Sequence, residues 1–114
     1  SISLANRCEA EVTLPGNDFP PTVNDAECWE LSKSASEEIL GQGMVEEMGP
    51  IMGGEDFSYY TEVIPGCFSF IGVGNSEMEA YGVHHPKFKV DEDALSLGTA
   101  IHVNTAFNAL KGAT

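Results

Sequence analysis

Residues 67–73, Cys-Phe-Ser-Phe-Ile-Gly-Val, are almost all apolar or small and lie between Pro65-Gly66 and Gly74-Asn75. A short apolar run bounded by turn residues suits a strand buried on both faces, and such a strand needs a layer of structure on each side. The flanking sequence offers elements for those layers. From 7 to 14 the chain alternates strictly, with Cys8, Ala10, Val12 and Leu14 on one side and Arg7, Glu9, Glu11 and Thr13 on the other, as in a half-buried strand. Asn24 with Glu27 three positions later is an N-terminal capping signal, and Cys28, Leu31, Ala35 and Ile39 recur at helical spacing until Gly41. This predicts a helix over about 25–40.

A short strand around 44–48 and a short helix within 55–63 are expected next, separated by Gly49-Pro50. Asp91 or Glu92 then opens a last helix, whose Leu95, Gly98, Ile101, His102, Thr105, Ala106, Ala109 and Leu110 form a broad inward stripe ending near Gly112. Strands and helices alternate, so the expected class is α/β, with helices packed on a central sheet rather than in a bundle. Pro15-Gly16-Asn17-Asp18 and Pro20-Pro21 punctuate too heavily for regular structure and read as a linker between two units.

The 114 residues are one domain's worth of chain, and no apolar run approaches the roughly 20 residues that span a bilayer. A soluble chain follows, with the cytoplasm favoured as its compartment. A formal net charge of -13 repels phosphate backbones and anionic lipid, which argues against nucleic acid and membranes as partners. The same acidic excess also suits a solvated surface with no role beyond solubility. Cys8, Cys28 and Cys67 are odd in number and widely spaced, so they are read as buried free thiols. The opening Ser-Ile-Ser-Leu lacks Met and any signal-peptide succession, which fits a processed protein or a piece of a longer one.

Chemistry concentrates in "GVHHPKF" (82–88), a stretch without periodicity that follows the apolar run. Imidazole is a common metal ligand, but neighbouring side chains on an extended backbone point to opposite sides, so at most one of His84 and His85 is expected to hold an ion. The alternative is a surface or packing pair. His102, within an apolar helical stripe, reads as a core or boundary residue. "MGGEDF" (52–57) sets two glycines before a carboxylate pair, permitting close backbone approach to a ligand with amides free to donate. A plain turn entering a helix would produce the same pattern. Glu46-Glu47 reads as structural, the glycines at 72 and 74 as turn geometry, and no Gly-x-Ser-x-Gly elbow or activated cysteine is present.

Taken in order, "PPTVND" (20–25), "MGGEDFSYY" (52–60), "IPGCFSFIGVGN" (64–75) and "HHPKFKVDEDAL" (84–95) resemble the C-terminal part of the dimetal amidohydrolases. That family is typified by plant indole-3-acetic acid amino acid hydrolases and related bacterial aminoacylases and carboxypeptidases. The resemblance covers nearly the whole chain. It implies a metallopeptidase-like α/β catalytic domain with a mixed sheet, into which a smaller lid or dimerisation domain is inserted. Residues 1–14 would then end the lid domain with its last strand, 15–21 would cross back, and 22–114 would form the C-terminal segment of the catalytic domain.

The resemblance also implies the chemistry. The histidine two residues before the proline of a His-x-Pro turn is the family's C-terminal metal ligand, which falls on His84 and leaves His85 at the variable position. Pro86 would limit the loop, and Gly82 would allow the turn that aims the imidazole. Two divalent ions, zinc or manganese, would activate water in the complete enzyme, and the substrate would be a small N-acyl amino acid or amino acid conjugate cleaved at its amide bond. The other ligands and the glutamate that acts as general base are expected upstream, so no catalytic residue is assigned here. This chain alone is expected to be inactive, because one ligand does not hold a catalytic ion. Gly53 and Gly54 would line the substrate cleft, with Glu55 and Asp56 anchoring their loop. A full-length homodimer would form mainly through the lid. The competing reading is a non-catalytic acidic interaction module that lacks the catalytic half.

Overall fold

A computed structural model describes residues 2–14, 16 and 19–112. The elements in chain order are α1 (Ile2–Ala5), α2 (Ala26–Leu40), α3 (Ser58–Thr61) and α4 (Asp93–Gly112). Only α2 and α4 are long, and they pack on each other.

The expected helix over 25–40 forms almost as read, but its cap is one residue later. Asp25 sits in extended geometry and its side chain accepts from the Cys28 amide at 3.0 Å, satisfying one of the free N–H groups of the first turn. That backbone bond, the leading influence, holds the Asp25 carboxyl below its ordinary value. At the other end Gly41 takes φ 100°, where a side chain would be strained, and its amide closes on the Glu37 carbonyl. Asn24, the cap expected from sequence, instead clasps the backbone of Phe68. Its Nδ2 donates to the Phe68 carbonyl at 2.9 Å, and its Oδ1 accepts from the Phe68 amide at 2.7 Å.

The α/β expectation is overturned: among the described residues there is no strand, and the regular structure is helical. The apolar run at 67–73 carries no regular structure and has no strand beside it among the described residues, and Phe70 and Ile71 remain 61% and 38% exposed. It is fastened by its ends instead. The Asn24 clasp and the Asp25 amide, 3.0 Å from the Gly66 carbonyl, hold one end to the start of α2. The Asp91 amide, 2.7 Å from the Val73 carbonyl, holds the other to the approach of α4. The strand expected at 44–48 is likewise unpaired, with Met44 and Met48 exposed. The strand expected at 7–14 is absent: Arg7 is left-handed at φ 53°, and residues 8–14 carry no regular structure. Alternation marks a chain that could sit in a sheet, but a ladder needs a second segment to take its N–H and C=O groups, and none pairs with it among the described residues.

Of the linker at 15–21, Pro15, Asn17 and Asp18 lie outside the described residues. α4 begins at Asp93, with its amide bonded to the Asp91 carboxylate at 3.1 Å. Its stripe is narrower than expected: Ile101 is buried and Gly98, Asn104, Thr105 and Asn108 are partly covered, whereas Leu95, His102, Ala106, Ala109 and Leu110 are exposed. Gly98 matters to this packing, because a Cβ there would come within 3.1 Å of Ile71 Cδ1. Cys8 is exposed and Cys28 and Cys67 are half-buried, all three as free thiols. No helix among the described residues is long and apolar enough to cross a membrane.

Candidate functional site

The loop at 74–90 is pinned at its base by one residue. Asp91 donates its amide to Val73, accepts from Asn75 Nδ2 at 2.8 Å through one carboxylate oxygen, and accepts the Asp93 amide through the other. The loop's far end is built from consecutive turns that share His85. The His85 amide donates to the Gly82 carbonyl at 3.2 Å, and the Phe88 amide donates to the His85 carbonyl at 2.9 Å. Pro86 follows directly after His85, at the position of the second turn where a fixed φ is favourable.

In the first turn His84 occupies the third position and takes φ 68°. That left-handed geometry ordinarily falls to Gly or Asn, and a residue held there stores roughly 1–3 kcal/mol of strain. The turn therefore comes from His84 itself, not from Gly82, whose φ lies outside the left-handed range and whose surroundings are open. The left-handed backbone is also how two adjacent imidazoles come to differ. His84 is exposed and its ring makes no hydrogen bond among the described residues. The His85 ring lies flat on Tyr81, with centroids 4.4 Å apart and planes 10° apart, and its Nδ1 accepts from the Lys87 amide at 3.1 Å. Lys87 Nζ stands 5.6 Å from the centroid of the same Tyr81 ring. A hydrogen bond with Glu79 is the main cause that raises the Tyr81 hydroxyl's pKa above its ordinary value.

Gly53 and Gly54 stand on an open stretch before α3. Neither amide has an acceptor among the described residues. A Cβ at Gly53 would meet nothing within 4 Å, while one at Gly54 would come 3.0 Å from Phe19 Cδ2. Glu55 secures the loop: its carboxylate accepts from the Phe57 amide at 3.3 Å, and its carbonyl accepts from Ser58 Oγ at 2.7 Å. Ser58 is wholly buried beneath this turn. No hydrogen bond or ring contact among the described residues joins the glycine loop to the histidine loop. An open depression of 390 Å³ lies between residues 23–25 and 61–66 and includes none of His84, Gly53 or Gly54.

The described residues contain no group of three or more His, Cys, Asp or Glu side chains able to hold a metal ion. His84 can supply one imidazole, with no hydrogen bond to displace, and the remainder of an ion's shell must come from elsewhere. His102 faces solvent on α4 and joins no such cluster. Nucleophilic chemistry at Cys28 is disfavoured too, since burial chiefly, and then the Asp25 carboxylate, push its thiol up. The Tyr81 stack on His85 was missed by the sequence reading, although Tyr81 stands four residues before His85.

Comparison with known proteins places this loop in context. Over 112 residues the chain is 39% identical to IAA-amino acid hydrolase ILR1-like 2 of Arabidopsis thaliana, covering 96% of this chain and 26% of that protein. It is 40% identical over 105 residues to IAA-amino acid hydrolase ILR1-like 4 of the same plant, covering 89% of this chain and 24% of the relative. Thermostable carboxypeptidase 1 of Saccharolobus solfataricus is 34% identical over 93 residues, covering 81% of this chain and 23% of that enzyme. The chain thus spans about a quarter of the length of the curated relatives it matches. The family model for Peptidase family M20/M25/M40 matches residues 5–108, nearly the whole sequence, and the chain belongs to that family.

Proposed function

We propose that this chain is part of a metal-dependent hydrolase that cleaves the amide bond of N-acyl amino acids or amino acid conjugates. The observation that carries the reading is His84: an exposed, unbonded imidazole held in a left-handed turn, on a loop fastened at its base by Asp91. The hydrolase and carboxypeptidase names of the relatives support the reaction class.

The donor chemistry at His84 fits one ligand of a divalent ion such as zinc or manganese. When bound, such ions polarise the scissile carbonyl and acidify a water molecule. His84 offers the lone pair, and Asp91 and Pro86 keep its loop in place. The Gly53 and Gly54 amides, without acceptors among the described residues, are donors for an oxygen of the substrate. The general base and the other ligands lie outside these residues. In this reading residues 1–14 belong to a lid or dimerisation unit, 15–21 cross back, and 22–114 belong to the catalytic unit.

The acidic-module alternative requires a core that stands alone. Among the described residues the buried hydrophobic side chains are Ala35 and Ile101, which does not favour it.

The test is His84→Ala in the full-length enzyme, with bound metal measured by elemental analysis and hydrolysis followed on an N-acyl amino acid. Loss of stoichiometric metal and a fall in kcat of at least about 100-fold are expected, in line with removing a ligand from a catalytic ion. Unchanged metal content and unchanged turnover would overturn the reading.

A further inference from the structure

Two adjacent histidines, His84 and His85, offer two imidazoles on one short loop, and a single ligand position calls for one of them. The loop resolves it with groups that the proposed reaction does not otherwise use. His85 Nδ1 accepts the Lys87 amide proton at 3.1 Å, so in the neutral ring the remaining proton sits on Nε2, and neither nitrogen presents a lone pair. The ring face is occupied as well, stacked at 4.4 Å on Tyr81, whose ring also has Lys87 Nζ at 5.6 Å from its centroid. The His85 backbone, meanwhile, closes both turns, through its amide to Gly82 and its carbonyl to Phe88.

We infer that the Tyr81–His85 stack is a positioning device: it withdraws His85 from ion binding and holds the 82–85 turn in the left-handed form that presents His84. The inference rests on the reading of His84 as a metal ligand. Tyr81 and His85 are positioning residues, since they act through the backbone of the turn. Without the stack, His84 is free to leave φ 68° for an unstrained conformation, and His85 is free to rotate and compete. Outer groups of this kind typically alter metal affinity by about 10-fold to 100-fold.

The experiment uses the full-length enzyme with zinc as the probe, its affinity measured by competition with a chromogenic chelator. Melting temperature of the metal-free form and separate kcat and KM values accompany each variant. Tyr81→Leu removes the ring and is expected to weaken zinc binding by about 10-fold and lower kcat with KM nearly unchanged. Tyr81→Phe keeps the ring, loses only the hydroxyl's bond to Glu79, and should stay within about twofold of the parent, by the same scale. Should Tyr81→Leu fail to fold, His85→Ala tests the same stack from its other side, with the same expected loss.

Four results separate the possibilities. Weakened binding in the Leu or Ala variant with rescue by Phe supports the inference. Equal losses in the Phe and Leu variants overturn it in favour of the Glu79 bond. Unchanged zinc affinity in Tyr81→Leu or His85→Ala, alongside loss in His84→Ala, overturns the stack while leaving the ligand reading intact. Unchanged affinity in all of them, His84→Ala included, overturns both.

Discussion

At the residue scale, the two glycines before α3 make different demands although they read alike in sequence. A side chain at Gly53 enters open space, and its φ lies outside the left-handed range, so the fold does not require glycine there. Gly54 faces the Phe19 ring, and a Cβ at 3.0 Å forces that ring to move. Gly53→Val is therefore expected to leave the melting temperature of the full-length enzyme nearly unchanged while raising KM by shielding the amide donors. Gly54→Ala is expected to cost about 1 kcal/mol through displacement of Phe19. Thermal melts and Michaelis profiles of both variants check this, and an unaltered KM in Gly53→Val would remove the glycine loop from the substrate cleft. Sequence placed His84 in a turn but assigned the permissive geometry to Gly82, because a glycine is the default choice for it. The strain falls on His84 because His85, locked by Tyr81 and Lys87, dictates the turn that precedes it. That cause lies in a ring contact, and local pattern does not report ring contacts.

At the scale of elements, both long helices were legible because their signals are local: apolar spacing, Asp and Asn near the starts, and Gly at the ends. The strands read at 7–14, 44–48 and 67–73 did not form among the described residues, because a strand is completed by a partner that the segment itself does not encode. The polar clamp between α2 and α4 was also invisible. Asn104 Nδ2 reaches the Ala35 carbonyl at 3.0 Å and Glu38 Oε2 at 2.7 Å, and Asn108 Nδ2 reaches the same carboxylate oxygen at 3.2 Å. The bond from Asn104 first, then that from Asn108, hold the Glu38 carboxyl below its ordinary value, with a smaller contribution from Lys111. Because the folded value is depressed, this stabilisation is present above the unfolded carboxyl's value of about 4.3 and is lost as pH falls through the folded one. Glu38→Gln should remove that part of the acid sensitivity. Denaturant midpoints of the full-length enzyme from pH 6 down to pH 3 check it, and parallel curves for parent and variant would exclude the clamp as a contributor.

For the whole molecule, the four motifs in order identified the family although the fold class drawn from the same residues was wrong. Motif recognition depends on residue identity along the chain, whereas a fold class depends on what packs against what. The packing here is sparse. The radius of gyration is 19.9 Å and the extents are 65 × 42 × 19 Å, against about 13 Å expected of a compact unit this size. The outer face of α4 keeps Leu95, Phe107 and Leu110 more than half exposed, and Ile51, Ile64 and Phe70 are similarly uncovered. With so little apolar area removed from water, hydrophobic stabilisation does not offset the roughly 1–2 kcal/mol per residue of backbone entropy that ordering the chain costs. A peptide of residues 1–114 made alone is therefore expected to melt without a cooperative transition and to bind a hydrophobic dye strongly, even as α2 and α4 contribute helical signal. Calorimetry and dye fluorescence test this directly. A sharp two-state endotherm with weak dye binding would mean that these residues close their own core, and would revive the self-standing acidic module over the hydrolase part.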